Sequence, residues 1–437
     1  MDKPKAKAVD VAIVGGGIIG CAIAWYLVKR GLTVGVYEKG RIAGEQSGKN
    51  AGFVRKQGRD HREMALIIRS LDLWRTIDAD IEGETGLVES GNFVVAGSPE
   101  KLEAMRGWLA IAREFGVETH LLTGSAMQDV QPRLRSDPRL LGALYTPSDC
   151  RAEPSLAAPA IAAALKRKGA DMRENCHVQA LITEGGRAAG IVTEEGEIRA
   201  RTVVVAAGLW SGIFLARYGV FVPQSDLTIS VGRTAPFDHG LRIPSWIPDV
   251  LLRPRFDGGL TIALGMVNGA DYEATWRSLA IAGRFLPTWW ENRRTVAIRL
   301  GKRLAEAARW KAAYLGTDRS RYDEIRVPNV PPNQAWLDQC AAAARRDFQF
   351  TQPLDFVEKW ACRVDVTPDG IPVIDEAPHI AGLVIATGMS GHGFGISLGV
   401  GDAVAEFIAT GRTTIPLREF RLARFAERYF GTHQNVV

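Results

Sequence analysis

Gly15, Gly17 and Gly20 stand at the spacing G-x-G-x-x-G, directly after an apolar run (residues 9–14) and directly before a helical pattern that runs from Cys21 to a stop at Gly31. A second apolar run, residues 33–37, ends in Glu38. These residue types at this spacing suit recognition of a dinucleotide. The first glycine permits a tight turn, the second lets backbone N–H groups approach a pyrophosphate, and the third lets helix and strand pack closely. A carboxylate at the end of the second strand can accept hydrogen bonds from ribose hydroxyls. The alternative, a glycine-rich turn with no ligand, leaves the register of strand, helix and Glu38 unexplained.

The motif alone does not separate FAD from NAD. A second glycine-dense stretch, Ala386-Thr387-Gly388-Met389-Ser390-Gly391-His392-Gly393-Phe394-Gly395, sits near the C-terminus between a predicted strand and a predicted helix from Gly401. A flavin dinucleotide is long, and its ring end needs a backbone cradle far from the adenine end. N–H groups at a helix start can stabilise negative charge on the pyrimidine edge of a reduced flavin. His392 would sit near that edge, as a hydrogen-bonding group, a positive charge or a packing residue. The expected cofactor is FAD, held without a covalent bond.

Around these motifs the chain is ordinary in composition. It has 437 residues, 46% hydrophobic and 24% charged, which predicts two or three soluble, ordered domains. A net charge of +5 over this length, with no basic stretch interleaved with aromatics, argues against nucleic acid. Five scattered cysteines with no C-x-x-C spacing read as reduced thiols in a cytosolic protein and give no metal site. The polar N-terminus has no apolar core of a signal peptide, and no run of about 18 apolar residues is present to span a bilayer.

The elements that must position the motifs follow from periodicity. Residues 60–84, 101–115 and 155–168 are predicted helices. Residues 87–96 are predicted to be a strand pair around Ser90-Gly91. Residues 202–207 and 383–387 are predicted buried strands. Residues 227–231 and 251–264 are predicted strands of an antiparallel sheet, turning at Asp257-Gly258-Gly259. Residues 270–350 read as mainly helical.

The motifs resemble the D-amino-acid-oxidase-type FAD superfamily, which includes glycine and sarcosine oxidases. The anchors are GGGIIG at residues 15–20, Glu38-Lys39-Gly40, Ala206-Ala207-Gly208-Leu209-Trp210-Ser211, and Asp365-Val366-Thr367-Pro368-Asp369-Gly370 leading into the 386–395 stretch. Within that superfamily the loop of residues 38–48, the Arg253-Pro254-Arg255-Phe256-Asp257-Gly258 strand and a helical insertion look most like bacterial L-amino acid deaminases. The resemblance implies an α/β (α+β) fold: a Rossmann-like FAD-binding domain from residues 1–84, 150–220 and 352–437, and an antiparallel-sheet substrate domain from 85–149 and 221–351, with the insertion at about 270–350. It implies a cofactor set of Gly15, Gly17, Gly20, Glu38, Lys39, Gln46, Ser47, Val178, Gly208, Gly388, Gly391, His392, Gly393, Phe394 and Gly395.

The implied reaction is oxidation of an amino acid to keto acid and ammonia, by hydride transfer from Cα to flavin N5. Oxidation of a secondary amine (an opine, an N-methyl amino acid or a proline-like ring) and a flavoprotein subunit of a larger dehydrogenase are the alternatives. The flavin carries the electrons, so no catalytic side chain is required. A guanidinium can bind the substrate carboxylate bidentately. Arg253 leads that assignment through the deaminase likeness, with Arg255, Arg55, Arg59 and Arg363 as further candidates and Gln57 as a substrate-facing residue. Dioxygen or a quinone-type carrier would take the electrons. Residues 277–326 hold 12 Lys/Arg against 5 Asp/Glu, with interspersed aromatics. They read either as a basic surface lying on the inner face of a membrane, otherwise cytoplasmic, or as a helical cap over the substrate entrance.

Overall fold

The computed structural model of the chain describes residues 7–264, 270–273, 281–286, 290, 296–299 and 325–427. β1 (Lys7–Val14), α1 (Ile18–Lys29) and β2 (Val34–Tyr37) form the βαβ unit that the sequence predicts. β1 and β2 run parallel, with Val14 opposite Tyr37. On its other side β1 pairs parallel with Gly196–Val205, and Leu383–Thr387 pairs parallel with the end of that strand. Asp171–Arg173 extends the sheet beyond β2, while Val178–Glu184 and Arg187–Thr193 add an antiparallel ribbon beyond Gly196–Val205.

Both faces of this sheet are covered, which is why its inner strands read as unbroken apolar runs. Val11, Ile13 and Val204 belong to one core, beneath α1, Met64–Asp80, Pro154–Arg167 and Gly393–Thr410. Ala12, Val14, Val203 and Val205 belong to another, with Leu215, Val220 and Phe425.

The last of those helices begins at Gly393, earlier than the sequence predicts. Its glycines serve packing rather than a turn. A Cβ on Gly399 would stand 2.4 Å from the Leu66 carbonyl oxygen, and one on Gly401 would stand 2.7 Å from the Ala22 carbonyl carbon. The missing side chains let this helix touch both α1 and Met64–Asp80. Its 18 residues have a mean hydropathy of 1.2, enough by length and composition to cross a membrane, yet its residues 394–405 are buried in the core.

The second sheet is mainly antiparallel. From one edge its order is Val296–Arg299, Ala270–Glu273, Ser225–Thr234, Leu260–Leu264, Val250–Pro254, Ser245–Ile247, Asn92–Ala96, Gly142–Thr146 and His120–Leu122. Asp257-Gly258-Gly259 makes the expected turn, with Gly258 at φ 82°.

Three expectations change. Phe356–Val366, assigned by sequence to the nucleotide unit, belongs to this second sheet, because it is paired with Ser225–Thr234 along nearly its whole length. The strands flanking Ser90-Gly91 do not pair with each other. The N–H groups of Ser90 and Gly91 both donate to the Asp149 carbonyl, so Val88–Glu89 is held against Cys150–Arg151 while Asn92–Ala96 pairs with Gly142–Thr146. Within residues 270–350, Ala270–Glu273 and Val296–Arg299 are parallel-paired strands, not helix. Gln334–Asp347 is helical as expected. Most of the basic segment 277–326, and with it the choice between membrane face and entrance cap, lies outside the described residues.

Candidate active site

A cavity of about 490 Å³ runs between the two sheets, from the G-x-G-x-x-G turn to the 386–395 stretch. At the first end each glycine has a steric reason. Gly15 is at φ 109°, and a Cβ there would stand 2.6 Å from the Ala206 carbonyl oxygen. A Cβ on Gly20 would stand 2.1 Å from the Gly15 carbonyl oxygen. Gly17, the N-cap of α1, lines the cavity. Glu38 accepts hydrogen bonds from the Gly16 and Gly40 N–H groups, both at 2.8 Å, which fixes its carboxylate at the strand end. Burial pushes that carboxyl up from its ordinary value, against the pull of the Gly40 and Gly16 donors.

Ser47 accepts from the Ile18 N–H at 2.9 Å, at the first turn of α1. Lys39 Nζ lies 3.3 Å from the centre of the Trp210 ring and 3.2 Å from Glu45 Oε1. Gln46, Val178 and Gly208 also line this part of the cavity. A strap crosses outside it: Arg326 donates to the Lys39 carbonyl at 3.2 Å and to Glu194 at 2.8 Å, and a Cβ on Gly40 would stand 2.6 Å from the Arg326 carbonyl oxygen.

At the other end the chain leaves Leu383–Thr387 through Gly388, Ser390 and Gly391, at φ 67°, 49° and 80°. The buried Asp365 carboxylate fastens this turn by accepting from the Gly388 N–H at 2.9 Å and from Gln224 at 2.6 Å. Gly391, His392, Gly393 and Phe394 then line the cavity at the start of the long helix, so its unbonded N–H groups lie at the cavity end. Gly20, Gly388 and Gly395 stand behind the lining as packing glycines. A Cβ on Gly388 would stand 2.5 Å from Thr367 Cγ2, and the Gly395 carbonyl accepts from Ser70 and Trp74.

The structure divides the candidate substrate residues into two groups. Arg55 and Arg59 line the cavity and are buried. Arg55 Nη1 donates to the Gln57 carbonyl, and its guanidinium carbon lies 5.0 Å from the Trp246 ring centre. Arg59 Nε donates to the Arg55 carbonyl at 3.3 Å, and its Nη1 is buried without a hydrogen-bond partner. Burial works against the charge of both, and at Arg55 the neighbouring Arg59 adds to it. An anion at this end of the cavity would relieve that penalty.

Arg253, Arg255, Gln57 and Arg363 do not line the cavity. This corrects the leading position given to Arg253. Its Nη1 and Nη2 hold Glu153 at 2.6 and 3.0 Å, one layer behind Gly52. Arg255 turns to Asp257 at 3.1 Å. Gln57 is fully buried, donating to Thr146 and accepting from Asn92. Arg363 lines a small separate cleft with Glu45, Lys49 and Trp210.

Sequence reasoning missed the apolar wall. Phe53 stacks on Trp246 with ring centres 5.5 Å apart, and Ile229, Leu251 and Ala263 continue the surface from the second sheet. Alternation along those strands could have marked the inward residues, but not which of the two faces meets the cavity. It also missed Glu63, a fully buried carboxylate beneath His392.

The donor set fits a long flavin dinucleotide: a glycine turn and carboxylate at one end, a second backbone cradle at a helix start at the other, and one cavity joining them. A family model described as FAD dependent oxidoreductase (DAO) matches residues 10–407. The chain is 23% identical over 436 residues to human mitochondrial sarcosine dehydrogenase, covering 97% of this chain and 42% of that protein, so it spans less than half of that relative. It is 23% identical over 435 residues to the sarcosine oxidase subunit beta of Rhodobacter capsulatus, covering 98% and 91%. Its fold is similar to the L-amino acid deaminase of Proteus vulgaris, at a TM-score of 0.88 and 24% identity over 97% of this chain and 99% of that one. It is also similar to the L-proline dehydrogenase of P. horikoshii, at 0.74 and 23% over 97% and 99%.

Proposed function

Since this chain belongs to the FAD-dependent oxidoreductase family and FAD is its cofactor, we propose that it oxidises the C–N bond of an amino acid, giving an imine that water splits to keto acid and ammonia. The observation that carries this reading is the end of the cavity bounded by residues 391–394, where buried Arg55 and Arg59 meet an apolar wall. That combination suits a small molecule with one carboxylate and an apolar side chain.

The cofactor supplies the acceptor for the hydride leaving the substrate Cα. The chain supplies the rest. Gly15, Gly17, Glu38 and Ser47 would hold the nucleotide end, and residues 391–394 would hold the ring end. Arg55 is the proposed carboxylate anchor, with Arg59 behind it as a second positive charge. Phe53, Trp246, Leu251 and Ala263 would fix the Cα–H direction and exclude water. No side chain is needed as a base once the amine arrives neutral.

A second reading, oxidation of an N-methyl or other secondary amine, is favoured by the names of the relatives similar over nearly the whole chain, sarcosine dehydrogenase and sarcosine oxidase subunit beta. The latter name also supports work as one subunit of a larger assembly. The acceptor, dioxygen or a quinone-type carrier, and a cytoplasmic location complete the proposal, with residues 277–326 either resting on the inner membrane face or capping the substrate entrance.

Anaerobic mixing of the yellow protein with L-amino acids, D-amino acids, N-methyl amino acids and opines tests it. Bleaching of the visible flavin band by primary amino acids supports the first reading, and bleaching by N-methyl compounds alone supports the second. A band that no amine bleaches rules out both for the chain acting alone and favours work as a subunit of a larger assembly. Re-oxidation by air then separates oxidase from dehydrogenase.

A further inference from the structure

Glu63 is fully buried, and neither of its carboxylate oxygens has a hydrogen-bond partner. An ionised carboxylate in such a place is costly unless another charge needs it there. Its neighbour at the cavity lining is His392, whose Nδ1 lies 3.3 Å from Glu63 Oε2, within ion-pair range but not aligned as a hydrogen bond. Glu63 is fixed by the 3₁₀ turn His61–Glu63, and His392 is the N-cap of the helix Gly393–Thr410. Two rigid elements therefore aim a carboxylate at an imidazole that faces the cofactor cavity.

The other charged groups around the imidazole are Arg59 and Arg55, from the loop before the turn. Asp149 balances Arg55 from behind, and Asp60 is engaged by Arg62. With no electrons on the cofactor, burial and then the two guanidiniums keep His392 neutral. A carboxylate can only accept, so the imidazole hydrogen belongs on Nδ1, and Nε2 is the basic nitrogen.

We infer that Glu63 is a positioning residue that makes His392 the proton acceptor when the bound cofactor is reduced. Two electrons come from the donor being oxidised, and one proton passes to His392 Nε2 from a buffer acid in solution, which is left as its conjugate base. The imidazolium then lies between the negative charge gained in the cavity and the Glu63 carboxylate. The inference rests on FAD filling the cavity, but not on which amine is the substrate.

The experiment is reductive titration of the FAD-bound protein with dithionite, with the potential followed against pH and proton uptake read by an indicator dye. Dithionite needs no substrate, so this result stands apart from the amine screen. Wild type should take up about one proton more per two electrons than either Glu63→Gln or His392→Asn. Equal uptake in wild type and His392→Asn would overturn the inference, even if Glu63→Gln fails to fold. If His392→Asn loses the proton and a folded Glu63→Gln keeps it, the role given to Glu63 is wrong.

Discussion

Arg253 grips Glu153 with both terminal nitrogens, at 2.6 and 3.0 Å, and both side chains are almost wholly buried. Arg151 and Arg255 approach the same carboxylate at 3.9 and 4.0 Å. Burial opposes ionisation of Glu153, but the Arg253 guanidinium outweighs it and holds the carboxyl below its ordinary value. This pair ties the strand Val250–Pro254 to the start of Pro154–Arg167, and so the second sheet to the first.

Breaking the pair leaves a buried charge without its partner. Arg253→Ala should therefore destabilise the protein by about 3–5 kcal/mol, measured by urea unfolding, while a paired apolar replacement (Arg253→Met with Glu153→Leu) recovers most of the loss. A variant of full stability with a steeply raised KM would instead make Arg253 a substrate anchor.

Arg55 should behave differently. Arg55→Ala should raise KM for the substrate about 10- to 100-fold, the equivalent of losing one or two charge-assisted hydrogen bonds, and leave the flavin spectrum in place. Arg55→Lys should rescue little, because an ammonium cannot bind a carboxylate bidentately. Unchanged KM in both variants would move the anchor elsewhere.

The glycine turn gives a steric prediction. In Gly20→Ala the new methyl would stand 2.1 Å from the Gly15 carbonyl oxygen, inside any real contact. Purified Gly20→Ala should carry much less FAD than wild type, read from the ratio of visible to protein absorbance. Equal FAD content would mean that α1 can back away from β1 without harm to the site.

His392 sets a pH dependence. Burial, and after it Arg59, holds its pKa down to about 4. Its ordinary value is about 6.5. Below about 6.5 the unfolded chain binds this proton and the folded one does not, so stability falls as pH drops from about 6.5 towards about 4. His392→Asn should flatten that part of the curve. Parallel urea-midpoint curves for the two proteins across that range would rule this out.

The parts legible in the sequence were those in which one residue type answers one local demand. Gly15 and Gly20 are needed at backbone contacts that no other residue allows, and Glu38 directly follows the uncharged strand Val34–Tyr37. The buried strands were visible because burial on both faces removes alternation. The partners of side chains were not visible. Arg253 and Arg55 look alike in sequence, and only the arrival of Glu153, 100 positions from Arg253, shows that the first is already engaged. The helix start at Gly393 is hidden because the sequence does not show the helices that press against Gly399 and Gly401. The place of Phe356–Val366 in the second sheet is hidden for the same reason: its pairing partner lies more than a hundred residues away.

The contact between α1 and the helix Gly393–Thr410, made at Ala22 and Gly401, also sets an order of events during synthesis. The nucleotide turn leaves the ribosome well ahead of the strand Leu383–Thr387, the cradle and the helix Gly393–Thr410 that complete its cavity. Until they arrive, α1 and β1 expose apolar surface that has no local partner. Loops this long close slowly, so the βαβ unit waits in an aggregation-prone form. Cofactor capture is thus a late event, and added FAD during expression is expected to raise the yield of folded protein by stabilising the assembled cavity.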